Sequence, residues 1–395
     1  MHKITSIKAA ILFTVFIDVI GAGIIIPVLP FYVESFGVSS FQITFLFAIF
    51  SICSFISSPF LGALSDKYGR KPILISSIIT TSIGWFVFSF AHSYLFLLLG
   101  RVIDGMAAGN ISTAQSYLVD ISKSDKERTS NLGLIGLSFG IGFLIGPFLG
   151  GILSAHSTTF PFLFVGFLSM LNAFMAIFIL PETNKNKSTA PMHINPFTPI
   201  IKATKNKPMR PDFFTWFLFI AAVSSMQGIF ALFLQKNFGF DAFKTGIIFT
   251  LSGVIIALNQ TVLLRKFWLK KFKEQDLEFW LMGASIFGFL IIAFPDFSVF
   301  ILGMIFLSFI QSVLRVIINS KAIGSAKPQE KGEISGIMTS IASLGMAAGP
   351  LIAGYLFNFQ SFYPFLLSAA LMLMAFSISY INRRKLHPAT ISIQE

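Results

Sequence analysis

The sequence predicts an all-α integral membrane protein with twelve transmembrane helices in two six-helix pseudo-repeats. Three observations predict it. Apolar runs of about 20 residues, each long enough to cross a bilayer, recur along the whole chain. The basic residues collect in alternate connections between those runs. A glycine–proline pattern in the fifth run returns in the eleventh.

Composition sets the frame. Of 395 residues, 54% are hydrophobic and 12% charged, where an average soluble domain carries roughly a quarter charged residues. The spans read as 7–32, 41–62, 72–91, 94–119, 130–154, 160–180, 212–235, 244–264, 278–295, 298–320, 334–357 and 361–381. An even number puts both termini on one side. That side holds 25 of the 29 Lys and Arg residues, the opposite loops only Lys236 and Lys244, and Arg101 and Arg315 lie within helices. The positive-inside rule therefore makes both termini cytoplasmic, in a bacterial inner membrane on this reading. The same rule accounts for the net charge of +12 without a nucleic-acid partner. The first run, after Lys3 and Lys8, is too long for a signal-peptide core and reads as a retained helix. Cys53 is the sole cysteine and the five histidines lie at span ends, loops or termini, so neither a disulfide framework nor a metal or cofactor site is expected.

The longest connection, 181–211, is rich in proline and lysine and reads as a cytoplasmic linker. It separates an N-terminal half, 1–180, from a C-terminal half, 212–381, followed by a tail, 382–395. GFLIGPFLGG (Gly142–Gly151) in the first half returns as GMAAGPLIAG (Gly345–Gly354) in the second, offset by 349 − 146 = 203 residues. At that offset Asp18 maps to Ala221, Arg101 to Met304, Asp104 to Leu307 and Asp66 to Leu269. The second half has lost these charges, so proton chemistry is expected in the first. A repeat of two six-helix halves with a mid-membrane site between them is a common transporter design.

Four stretches carry the candidate chemistry. GALSDKYGRK (Gly62–Lys71) reads as a tight charged turn between the second and third spans. In it Gly62, Leu64, Asp66, Gly69, Arg70 and Lys71 match a G-x-L-x-D-x-x-G-R-K pattern. Asp18 lies near the middle of the first span, where an ionised carboxylate is costly and has to face a cavity or a partner. Gly21, Gly23, Pro27 and Pro30 follow it and let that helix bend and pack closely. In GRVIDGMAAGN (Gly100–Asn110), Arg101 and Asp104 are three apart on one face and can pair. Asp104 is either a titrating group that frees or traps Arg101, or half of a permanent ion pair. In the fifth span Gly142, Gly146 and Gly150 repeat every four residues, with Pro147 and Gly151 beside them.

These motifs together resemble the major facilitator superfamily. GALSDKYGRK resembles its loop signature between the second and third helices. R-x-x-x-G at Arg101 and Gly105 resembles its fourth-helix signature, whose arginine is linked to proton transfer. G-x-x-x-G-P-x-x-G-G at Gly142, Gly146, Pro147, Gly150 and Gly151 resembles the antiporter signature of drug exporters. Asp18 with its Gly/Pro run is similar to the first helix of tetracycline-type exporters, although the third and ninth spans here lack the central carboxylates of those proteins, so tetracycline itself is not implied.

The resemblance implies a major facilitator fold and a secondary transporter, not an enzyme, working by alternating access. It implies proton-coupled efflux of a lipophilic or aromatic small molecule, with the proton gradient as energy source and no cofactor. A proton-coupled symporter for a nutrient or siderophore is the alternative. Asp18, Arg101 and Asp104 are the expected proton-coupling residues. Gly62, Asp66, Gly69, Arg70, Lys71 and Asp120 form the expected inner gate, with Asp66 working against the start of the eleventh helix. Asn110, Gln115, Gln227 and Gln311 are candidate substrate contacts. Arg315, near the inner end of its span, is expected to snorkel to the interface, and the chain to act as a monomer.

Overall fold

The computed structural model describes residues 2–184, 195–327 and 330–386. The middle of the expected linker, residues 185–194, and most of the expected tail, 387–395, lie outside them. Every regular element among the described residues is helical. In order these are α1 (His2–Glu34), α2 (Ser40–Tyr68), α3 (Arg70–Ser89), α4 (Tyr94–Met106), α5 (Asn110–Asp120), α6 (Asp125–Ser154), α7 (Phe160–Ile179), α8 (Thr198–Lys205), α9 (Arg210–Phe238), α10 (Ala242–Leu258), a π-helix (Asn259–Trp268), α11 (Leu269–Lys271), α12 (Glu274–Ile292), α13 (Phe297–Gly324), α14 (Lys331–Phe357) and α15 (Tyr363–Leu386). Among the described residues eleven spans are long and apolar enough to cross a membrane. α12 stands at the ninth expected span and opens with three carboxylates, Glu274, Asp276 and Glu278.

Three elements differ from the sequence reading. The charged stretch 62–71 is not an extended turn. α2 runs on to Tyr68, α3 starts at Arg70, and Gly69 alone, at φ 118°, makes the reversal. A side chain is strained at that φ, so glycine is required there. Residues 62–68 contain no breaker after Gly62, and Arg70 reaches back to Asp66, which holds the last turn of α2. The fourth span is broken at residues 107–109 into α4 and α5. There Gly105 and Gly109 sit directly on α2, where an added Cβ would meet Phe50 O at 2.7 Å and Leu61 Cβ at 2.6 Å. The Gly105 carbonyl accepts both the Ser57 hydroxyl at 3.0 Å and the Ala108 N–H at 3.2 Å. The eighth span continues from α10 as a ten-residue π-helix. Its Asn259 is buried and donates to Phe309 O and Ser312 Oγ, both at 2.7 Å.

The chain divides into two compact units, Met1–Pro196 with Leu234–Gly253, and Phe197–Phe233 with Val254–Glu395. In the first, one end of the core is a hydrophobic cluster that includes Ile11, Val15, Leu74, Ile78, Tyr117, Leu118 and Ala173. Toward the other end Trp85 stacks on Phe162 at 6.1 Å, and Tyr32 hydrogen-bonds the Phe88 carbonyl at 2.9 Å. The glycine face of α6 packs on α1. An added Cβ at Gly146 would meet Gly23 Cα and Ile20 O, both at 2.9 Å, and one at Gly150 would meet Ile24 O at 3.1 Å. Gly151 points elsewhere, to Phe243 Cα of α10 at 3.3 Å. That approach is why Leu234–Gly253 groups with this unit. Dispersion and carbonyl contacts at such distances replace the hydrophobic effect, which lipid does not supply between helices.

In the second unit Gly345 and Gly349 make the matching contacts with α9. Gly345 lies against Ala221 N, as Gly142 lies against Ile20 N, so the repeat register on the first helix of each half is 221 − 20 = 201, not 203. Asp18 is therefore equivalent to Phe219 rather than Ala221. The mapping shifts, and the position still lacks a charge.

Candidate functional site

Side chains from α1, α3 and α5 meet at mid-span in the first unit. Asp18 is half-buried on α1, and Asn110, the first residue of α5, donates Nδ2 to Asp18 Oδ1 at 3.3 Å and to Thr81 Oγ1 of α3 at 3.4 Å. The break at residues 107–109 sets the start of α5 and so aims Asn110 inward. Asn110 Oδ1 is buried without a partner. Among the described residues no cation lies within ion-pair distance of Asp18.

Arg101 and Asp104 form the second cluster. Both are buried, at 4% and 7% exposure, and Arg101 Nη1 lies 2.8 Å from Asp104 Oδ2. Arg101 Nε donates to Leu46 O at 3.3 Å, and the guanidinium lies 4.3 Å from the Phe50 ring and 5.7 Å from that of Trp85. Two glycines allow this. Gly84 and Gly100 bring α3 and α4 into backbone contact, with an added Cβ at Gly100 meeting Gly84 O at 2.9 Å. An added Cβ at Gly21 of α1 would meet the Trp85 indole at 3.0 Å. The same indole is thus a common neighbour of the helix of Asp18 and the guanidinium of Arg101.

The expected inner-gate residues come together, with one exception. Arg70 pairs with Asp66 at 2.6 Å and Asp120 at 3.2 Å, and donates to Ser65 Oγ at 2.7 Å. Lys71 Nζ donates to the Ile177 carbonyl at 2.8 Å, closing the end of α7. Gly62 has no neighbour within 4 Å of an added Cβ and joins the cluster only through its carbonyl, which accepts the Ser65 hydroxyl at 2.7 Å.

Sequence reasoning missed Glu182, which organises the cluster. Its carboxylate accepts the backbone N–H of Arg70 at 2.9 Å and of Lys71 at 3.1 Å, so it caps α3 from a distant segment. An acid just after the last apolar residue of a half, in an otherwise basic connection, was the available signal. Also missed were the buried Thr14–Asn172 pair (3.1 Å) and, in the second unit, Lys321 held by Asp212 at 3.0 Å and by Glu278 at 2.9 Å. Of the remaining candidates, Gln115 is exposed, Gln227 is half-buried and Gln311 has a buried Nε2 without a partner.

Charged and amide side chains held at mid-span by membrane-crossing helices mark a functional site of the kind that membrane transporters carry. The family model described as Major Facilitator Superfamily matches residues 11–277 and 268–394, and the chain belongs to that family. It is 26% identical to Multidrug resistance protein 2 of Bacillus subtilis (strain 168), over 96% of each chain. It is 28% identical to Quinolone resistance protein NorA of Staphylococcus aureus (strain MSSA476), over 94% of this chain and 95% of that one. The solved human organic anion transporter MFSD10 (TETRAN) superposes with a TM-score of 0.73 at 22% identity, covering 95% of this chain and 99% of the other. The nucleoside transporter NupG also gives 0.73, at 12% identity, covering 96% of this chain and 99% of the other. At these identities the two structures establish the fold. The protein is thus a multi-pass membrane transporter of small molecules.

Proposed function

We propose that this transporter exports lipophilic or aromatic small molecules in exchange for protons. It would work as a monomer in a bacterial plasma membrane, with both termini cytoplasmic. The observation that carries the reading is Asp18. It is a mid-span carboxylate with one neutral amide donor, from Asn110, and no cation beside it among the described residues. Such a group costs least when protonated and ionises only when water or a cationic guest reaches it. Proton loss and substrate entry can therefore favour one state, and proton uptake the other, which is what exchange requires. Arg101, fixed by Asp104, Leu46 O and two rings, supplies a permanent positive charge nearby.

The export direction is supported by the glycine–proline face of α6 and by the names of the two bacterial relatives, both resistance proteins. The gate residues Asp66, Arg70, Lys71 and Asp120, with Glu182, supply a charge cluster whose rearrangement would open the inner side. Inverted vesicles with a preset pH gradient test the reading. Adding lipophilic cations, aromatic antibiotics or sugars in turn should release protons for members of one aromatic class. Proton movement in the same direction as a nutrient would make the protein a symporter and refute it.

A further inference from the structure

We infer that Arg315 and Gln311 of α13 form a carboxylate-recognising subsite, so that the preferred substrates are aromatic compounds bearing an acid group. The inference rests on the transport reading above and narrows its substrate class.

The argument begins with the faces of α13. At about 100° per residue, Met304, Ser308 and Ala322 lie within about 20° of Arg315 around the helix. All three are buried, whereas Arg315 itself is exposed. A lipid-facing stripe would be open along its length. Of the open apolar residues of α13, Val299, Leu302 and Phe306 sit roughly on the opposite side and Ile305 about 80° away; Phe297, the first residue of the helix, is the one open apolar residue on Arg315's own face. Arg315 therefore occupies an opening in a protein-covered stripe that also carries Gln311 one turn before it and Asn319 one turn after. This differs from the snorkelling expected from its sequence position.

The second strand is a surplus of donors. Gln311 Nε2 is buried with no partner. Among the described residues no carboxylate reaches Arg315. The acids of the second unit that could neutralise it are committed elsewhere. Asp212 and Glu278 hold Lys321, Glu333 pairs with Lys202, and Asp276 pairs with Arg383. The nearby Asn259 is also fully used, with Nδ2 on Phe309 O and Ser312 Oγ and Oδ1 accepting from Trp268. An arginine stays charged at any relevant pH, and its planar fork matches a carboxylate. Two unpaired donors one helical turn apart, in a segment that provides no acceptor, call for an acceptor brought by a guest. An anionic lipid headgroup offers the same oxygen chemistry, so the test separates the two sources.

The experiment measures equilibrium binding of aromatic monocarboxylates, each beside its neutral carboxamide, to the protein in phosphatidylcholine liposomes without a pH gradient. Wild type should bind each acid more tightly than its amide. R315Q should weaken acid binding about tenfold to a hundredfold, the range of one charge-assisted hydrogen-bond pair, and leave amide binding unchanged. R315K should recover part of the loss, and Q311A should give a smaller loss confined to the acids. Equal affinity of wild type for acid and amide, no acid binding at all, or an equal loss of both ligands in R315Q would overturn the assignment. So would an R315Q effect that appears only when phosphatidylglycerol is added, which would place a headgroup there. Acid-selective binding without substrate-driven proton movement would instead retain this subsite and reject the efflux reading.

Discussion

Replacing Asp104 with leucine isolates the role of the buried pair. Arg101 would keep its hydrogen bond to Leu46 O and its contacts with Phe50 and Trp85, but lose the Asp104 carboxylate, now 2.8 Å away. With Arg101 at 4% exposure, water cannot take over. Removing one partner of a buried ion pair costs about 3–5 kcal/mol, whereas replacing both by apolar groups of similar volume is often neutral or stabilising by about 1–4 kcal/mol. The Asp104→Leu variant should therefore be less stable than the Arg101→Met/Asp104→Leu double variant. The assay is unfolding in detergent followed by tryptophan fluorescence, completed by the single Arg101→Met variant so that the coupling is read from a full cycle. The double variant should regain stability and lose proton coupling. If Asp104→Leu matched wild type in stability, Arg101 and Asp104 would not be the buried, mutually compensating pair that their geometry describes.

Three further outcomes follow from the packing and the charge clusters. Gly146→Val should destabilise the first unit by about 1–3 kcal/mol, because its side chain would meet the backbone of α1 at Gly23 and Ile20; Gly136→Ala, with nothing within 4 Å, should be neutral in the same thermal assay. Glu182→Gln should speed hydrogen exchange at the Arg70 and Lys71 amides, which it caps, and leave the amides of α14 unchanged. The Lys8 ammonium, hydrogen-bonded to Glu127 at 2.7 Å, holds that carboxyl below its ordinary value of 4.5, with the Lys123 N–H adding to the effect. A depressed carboxyl stabilises the fold above its unfolded value and ceases to do so as pH falls through its folded one. Melting curves of wild type and Glu127→Gln should accordingly differ at pH 7 and converge as the pH falls below the ordinary carboxylate range.

The architecture was legible because lipid imposes a coarse rule. A segment either is apolar over about 20 residues or cannot span, and the cations mark the inner side. Asp18, Arg101 and Asp104 stood out for the same reason, since an ionisable group in such a run is rare. What stayed hidden depends on contacts between segments far apart in sequence. Glu182 looks like any loop acid until α7 returns it to the start of α3. The break at residues 107–109 lies where Gly105 and Gly109 close on Phe50 and Leu61 of α2, contacts that no local propensity encodes. The π-helix at Asn259 depends on acceptors on α13. The glycines of α6 were legible as a face, but not that Gly151 leaves it for α10, because spacing gives direction around a helix and not the neighbour that stands there.

The most direct test of the account uses Asp18→Asn in liposomes loaded with a substrate already shown to evoke proton release. Two rates are measured on one preparation, substrate-for-substrate exchange without a gradient and substrate movement driven by a pH gradient. The account predicts that exchange survives, because asparagine keeps the shape and can still hydrogen-bond Asn110, while proton-driven transport and substrate-evoked proton release disappear. Full proton-driven export by Asp18→Asn would contradict it and move the coupling site away from α1.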